Sequence, residues 1–289
     1  MSTFAKKIMS QIRRSLGITD MANDIHALRD IYTQNYISGE LNTNLRYANK
    51  LHLNRYEYKV FSQFGEDGII SEIFKRIGST NKYFVEIGVE DGRENNTLHQ
   101  LTQEWNGCWI EGDKKHTENI NKNFYSLIKA HKLKVINSFV TKENINTLFK
   151  ASKIPTTFDF LSVDIDGNDY WILQALEKYS PRVICVEYNT LVGPETDWIM
   201  KYDPSYVLDG SMHFGASLVS FEKLLNSRGY LLVACSLAGT NAFFVKKNLV
   251  KKKFLEPFTA KNFYQTQRFF LYQKTPYSIS DDFLKSIGS

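Results

Sequence analysis

Apolar positions three or four apart dominate the first fifty residues. Phe4, Ile8, Ile12 and Leu16 fall on one face, with Lys6, Lys7, Arg13 and Arg14 elsewhere on the wheel, so a short basic amphipathic helix is predicted over 3–16, ended by Gly17. Met21, Ile25, Leu28 and Ile31 keep helical spacing, which predicts one or two further helices over 20–53. After residue 60 the period changes. A helix through Ile69, Ile70, Ile73, Phe74 and Ile77, closed by Gly78, is followed by short apolar runs at 82–87, 108–111, 134–137, 158–163 and 182–188. Helical stretches separate them, starting near Asn96-Thr97 and covering 114–130, 143–151 and 168–179. A helix at 216–228, stopped by Gly229, precedes two strands, Tyr230–Ser236 and Asn241–Lys246, which read as a hairpin across Leu237-Ala238-Gly239-Thr240.

Strands alternating with helices through short connections mean a parallel sheet with helices on both faces, here finished by an antiparallel pair. The chain therefore divides into a helical extension at 1–55, an α/β domain at 56–250, and an aromatic-rich segment at 251–289 that packs on the domain or forms a lid. The extension is expected to serve oligomerisation, making a homo-oligomer. The alternative use of 3–16 is peripheral contact with a membrane surface. The connection from Asn189 to Phe214 is long for such a fold and lies where ligands bind, which marks it as functional.

The 289 residues carry a net charge of +5, and no Lys/Arg stripe dominates, so nucleic acid is not an expected partner. Cys108, Cys185 and Cys235 each sit in an apolar strand-like run without metal-ligand spacing, and read as buried thiols. With no membrane-length apolar run and no signal-peptide core near the start, a cytoplasmic location is expected.

The chemistry gathers at strand ends. The first strand runs into Glu86-Ile87-Gly88-Val89-Glu90-Asp91-Gly92, and the second ends on Glu111. A glycine turn lets a ligand approach the backbone, and a carboxylate at the next strand tip can accept both hydroxyls of a ribose. The spacing is E-x-G-x-x-x-G, not the dinucleotide fingerprint G-x-G-x-x-G, so S-adenosylmethionine is favoured over a pyrophosphate cofactor. Ser138, after the third strand, could flank an adenine. Asp164 and Glu187 end adjacent strands, with Asp166 and Asn189 close by, and such an oxygen-rich set suits Mg²⁺ or another divalent cation. Asp166 and Asn168 could instead cap the next helix. Without a metal, Asp164 would contact the cofactor or the acceptor. His213 is the one histidine of the long connection and is a candidate general base, alongside the role of a hydrogen-bonding or substrate-contacting group.

These stretches, with Ser62–Gly68, Phe84–Thr97, Phe160–Trp171 and Gly229–Val245, resemble the class I S-adenosylmethionine-dependent methyltransferases, and among them the FkbM-like enzymes, many of which modify sugars or small hydroxylated compounds. The resemblance implies a Rossmann-like, seven-stranded mixed sheet whose last strand is antiparallel. It also implies cofactor contacts at Glu86, Gly88, Gly92, Glu111 and Asp164, with Gln63, Asn96 and Thr97 nearby. In metal-dependent relatives, acidic residues after the fourth and fifth strands bind magnesium, and Asp164 and Glu187 match those places. The expected activity is O-methylation of a sugar, nucleotide-sugar or glycan hydroxyl. A nicotinamide-dependent oxidoreductase and a non-catalytic assembly or membrane-associated protein retaining the fold are the alternatives.

Overall fold

The computed structural model describes residues 3–272 and 282–283. Its helices and strands run α1 (Thr3–Ser15), α2 (Ile18–Thr43), α3 (Glu66–Ile77), β1 (Tyr83–Ile87), α4 (Leu98–Leu101), β2 (Asn106–Glu111), α5 (Lys114–Asn123), α6 (Tyr125–Lys129), β3 (Leu133–Asn137), α7 (Ile145–Ala151), β4 (Thr157–Val163), α8 (Asp169–Ala175), β5 (Ser180–Glu187), α9 (Leu218–Ser227), β6 (Tyr230–Cys235), β7 (Asn241–Lys246), α10 (Lys247–Val250) and α11 (Ala260–Phe263).

One seven-stranded sheet, ordered β3-β2-β1-β4-β5-β7-β6, organises the molecule after Ala48. Strand pairs from β3 through β5 are parallel, and β7 runs antiparallel to both β5 and β6. This is the Rossmann-like mixed sheet that the resemblance implies. Its winding reverses between β1 and β4, which opens a crevice beyond their carboxyl ends.

Alternation along the strands builds both layers of core. On β1, Val85 and Ile87 pack with Cys108 and Ile110 of β2 and with residues of α7, α8 and α9. Phe84, one residue out of phase, packs instead with Trp109, Phe160 and the apolar side of α3 and α4. All three cysteines are buried free thiols, and burial pushes that of Cys108 up to about 12.

Several boundaries differ from those the pattern predicts. The compact α/β unit begins at Asn49, not near 56. Leu53 and Asn54 are fully buried within it, and Asn54 Nδ2 donates to the Cys235 carbonyl at 2.8 Å. The polar stretch at 114–130 forms two helices because Phe124 leaves helical geometry (φ −116°) to bury its ring edge-on against Trp109, 5.0 Å away. The first helix after β1 is one turn long, since residues 88–97 make an irregular loop. Within the aromatic C-terminal segment, Phe254 and Phe263 are buried and Phe269 is 52% exposed, while 273–281 and 284–289 lie outside the described residues. No helix among the described residues is long and apolar enough to cross a membrane.

Candidate functional site

A cavity of about 630 Å³ opens at the carboxyl edge of the sheet, where strand tips β1, β2, β4 and β5 converge. Its size suits a cofactor-sized ligand. Gly88 turns the chain out of β1 with φ 80° and donates its amide to the Ile110 carbonyl at 3.0 Å. A Cβ there would lie 1.7 Å from the Asp164 carbonyl oxygen, so only glycine lets β1 and β4 close this floor.

Glu111 at the tip of β2 is held from three sides. Its Oε2 accepts the amides of Val89 (3.1 Å) and Glu90 (2.8 Å), and its Oε1 accepts that of Asp113 (2.8 Å). The side chain is thereby immobilised on the cavity wall with three of its four lone pairs engaged, and Oε1 keeps the fourth for an incoming hydroxyl. Glu86 sits deeper. Its Oε1 accepts the Asn96 amide at 2.8 Å, and its Oε2 accepts the Thr97 hydroxyl at 2.5 Å. Burial raises its carboxyl to about 7. Trp109 Nε1 donates to the Thr97 hydroxyl at 2.7 Å, which locks this chain of contacts to the core.

Asp164, Asp166 and Glu187 place ligand oxygens within 4.8 Å of one another. Asp166 occupies a left-handed conformation (φ 55°), and Asp169 fixes the turn around it by accepting the amides of Ile165 and Gly167, each at 2.9 Å. Burial raises Asp164 and Glu187 well above the usual carboxylate range, and repulsion from neighbouring carboxylates adds to it. Burial also raises Asp166. None of the ion pairs among the described residues reaches the three.

The Ser62–Gly68 stretch has a structural logic of its own. Asp67 Oδ2 accepts the amides of Val60, Phe61 and Ser62 at 2.7 to 2.8 Å, and so aims the next residue, Gln63, along the cavity wall. Glu66 Oε1 accepts from Asn241 Nδ2 at 3.2 Å, holding another wall residue in place.

Gln63, Glu86, Gly88, Asn96, Glu111, Ser138, Asp164, Asp166 and Glu187 thus all line one cavity. Four other expected site residues are placed elsewhere. Gly92 (φ 79°) lies against Trp109, where a Cβ would come within 2.7 Å of the indole. Thr97 touches Glu86 and not the cavity. Asn189 spends its amide on the carbonyls of Met212 and Phe214, both at 2.9 Å, bracing the long connection. His213 is exposed, and its ring sits edge-on to Trp198 with centroids 5.3 Å apart. It reaches the site only through its carbonyl, to which the Tyr206 hydroxyl donates at 3.3 Å.

Sequence reasoning passed over His116, Glu90, Glu94 and Tyr206, which also line the cavity. His116 lies in the first turn of α5, three residues beyond its cap Asp113, a position that directs a helical residue toward the strand tip. The left-handed φ of Glu90 (48°) gives no sequence signal. Gly167 was the available clue for Tyr206, because a Cβ there would come within 2.5 Å of that ring.

No family model matches the chain, and no curated protein matches it. Solved structures do, many of them methyltransferases. The N-terminal domain of EvdMO1 with SAH bound is 13% identical, covering 78% of this chain and 94% of its own, with a TM-score of 0.38. Magnesium protoporphyrin IX methyltransferase from Synechocystis PCC 6803, with bound SAM, is 7% identical over 75% of this chain and 90% of its own, with a TM-score of 0.41. An S-adenosylmethionine-dependent methyltransferase from Clostridium acetobutylicum ATCC 824 is 11% identical over 75% and 99%, with a TM-score of 0.38. Such distances leave the geometry of the site itself as the ground for assigning a function.

Proposed function

We propose that this chain is an S-adenosylmethionine-dependent O-methyltransferase acting on a sugar or glycan hydroxyl. The observation that carries the reading is the Glu111 carboxylate, fixed by three backbone amides across a glycine turn from the Asp164–Asp166–Glu187 cluster. That arrangement offers a hydroxyl acceptor at one end of the cavity and a carboxylate cluster at the other. The residues present fit the cofactor. Glu111 Oε1 would take a ribose hydroxyl, Ser138 and Phe139 would flank the base, and the acidic end would favour the sulfonium and ammonium groups. When bound, the sulfonium supplies an electrophilic methyl group.

The acceptor's charge follows from the wall. Among the lining residues are eight carboxylates (Glu86, Glu90, Glu94, Glu111, Asp113, Asp164, Asp166 and Glu187) and no Lys or Arg. Such a wall offers no cationic side chain to a phosphate. Of the expected acceptors, an uncharged sugar or glycan is therefore favoured over a nucleotide-sugar.

Burial and mutual repulsion raise the proton affinity of Asp164 and Glu187, so the ionised form of either is a stronger base than an ordinary carboxylate. Asp164 or Glu187 would take the hydroxyl proton on a carboxylate oxygen. His213 is left outside this role by its position on Trp198. The all-oxygen donor set of Asp164, Asp166 and Glu187 also fits Mg²⁺ or another hard divalent cation, which would lower the hydroxyl's pKa. Asn189 would not join it, since its Oδ1 accepts the Leu191 amide at 3.1 Å and its side chain lies off the cavity.

A panel of neutral glycans and nucleotide-sugars incubated with isotope-labelled S-adenosylmethionine tests the assignment by mass spectrometry. Methyl gain on a neutral sugar hydroxyl is expected. Methyl transfer only to nitrogen, or turnover only with NADH, would overturn it.

A further inference from the structure

Helix α2 carries a pattern narrower than ordinary amphipathicity. Ile18, Met21, Ile25, Leu28 and Tyr32 follow one another at alternating intervals of three and four residues, the a and d positions of a heptad. They are 48, 65, 59, 66 and 62% exposed. Contiguous apolar surface of this kind marks an interaction site. The row extends over about 20 Å at the helical rise of ~1.5 Å per residue.

Charge identifies what covers it. In this register Asp24 holds a g position and Arg29 the e position of the following heptad. Two parallel copies of the helix place each Asp24 beside the Arg29 of the other copy, twice by symmetry. Antiparallel copies oppose g to g and e to e, and both attractions are lost. The helix as a whole sets four carboxylates (Asp20, Asp24, Asp30, Glu40) against one guanidinium, so an anionic membrane would repel it.

We propose that α2 zips in parallel against α2 of a second copy of this chain, through Ile18, Met21, Ile25, Leu28 and Tyr32, with reciprocal Asp24–Arg29 bridges setting the orientation. The seam covers only two heptads, so association depends on concentration. The pairing stands independently of the methyltransferase assignment.

Sedimentation velocity on the full chain at rising concentration tests it, with far-UV circular dichroism as the folding control. A monomer-to-dimer shift is expected for the native chain, and a monomer at every concentration for Ile25→Glu/Leu28→Glu. Asp24→Arg or Arg29→Asp alone should weaken the dimer by roughly three- to tenfold, and the two together should restore it. Met21→Cys should cross-link under mild oxidation, since the three native thiols are buried. A native chain that stays monomeric, a seam variant that still dimerises, or a charge swap that fails to rescue would overturn the proposal. So would phosphatidylserine-vesicle binding that the seam variant abolishes.

Discussion

Glu111 holds the fold through both oxygens and, in the proposed function, would bind the cofactor through the free lone pair of Oε1. Its removal in Glu111→Ala strands the amides of Val89, Glu90 and Asp113, which should cost about 2 kcal/mol of stability. Loss of the proposed ribose acceptor should also weaken S-adenosylhomocysteine binding by roughly ten- to a hundredfold in calorimetry. Glu111→Gln keeps one acceptor oxygen and should fall between. His213→Ala should turn over at a near-normal rate, because the imidazole packs on Trp198 outside the cavity. A collapse of kcat with unchanged folding would return it to the list of bases. The carboxylate trio makes the opposite prediction. Chelation with EDTA should lower activity and Mg²⁺ should restore it, and Glu187→Gln should abolish the restoration. Full activity after chelation would remove the cation.

At the scale of elements, strand tips were the legible part of the sequence. Glu86, Glu111, Asp164 and Glu187 each end an apolar run, and the ends of parallel strands must share one edge, so their convergence followed from topology. Residues that reach the cavity from irregular backbone were not legible. Glu90 needs a left-handed φ, and Tyr206 arrives from far along the chain by packing on Gly167. Thr97 and Asn189 lie off the cavity for a related reason. Short polar side chains beside a site more often hold the loops that build it, and their partners lie too far along the chain for spacing to reveal. Gly88 makes the point from the other side. Gly88→Ala drives a methyl group into the Asp164 carbonyl at positive φ, and should yield insoluble protein or a large loss of thermal stability. A near-native melting temperature would contradict the close approach of β1 and β4.

For the whole molecule, buried carboxylates tie stability to pH. Burial raises Glu57 to about 8, Glu86 to about 7 and Asp169 to about 6. Each group binds its proton more tightly folded than unfolded. The stability this confers is complete below the unfolded values near 4 and is lost as pH climbs through the folded ones. The ligand-free melting temperature should therefore fall between about pH 5 and pH 8. Glu57→Gln, which cannot ionise, should flatten the upper part of that slope. A melting temperature that rises over the same interval would mean these groups are ionised and paired in solution. A protein that concentrates eight carboxylates around one cavity is poised to be stabilised by a cationic ligand, which links this pH trend to the proposed activity.

The most direct measurement is isothermal titration of the full chain with S-adenosylhomocysteine, run beside the folded Glu111→Ala variant. One nucleoside per chain for the native protein and a strongly weakened isotherm for the variant are predicted. No heat from a folded native chain, or equal affinity in both proteins, would contradict the account.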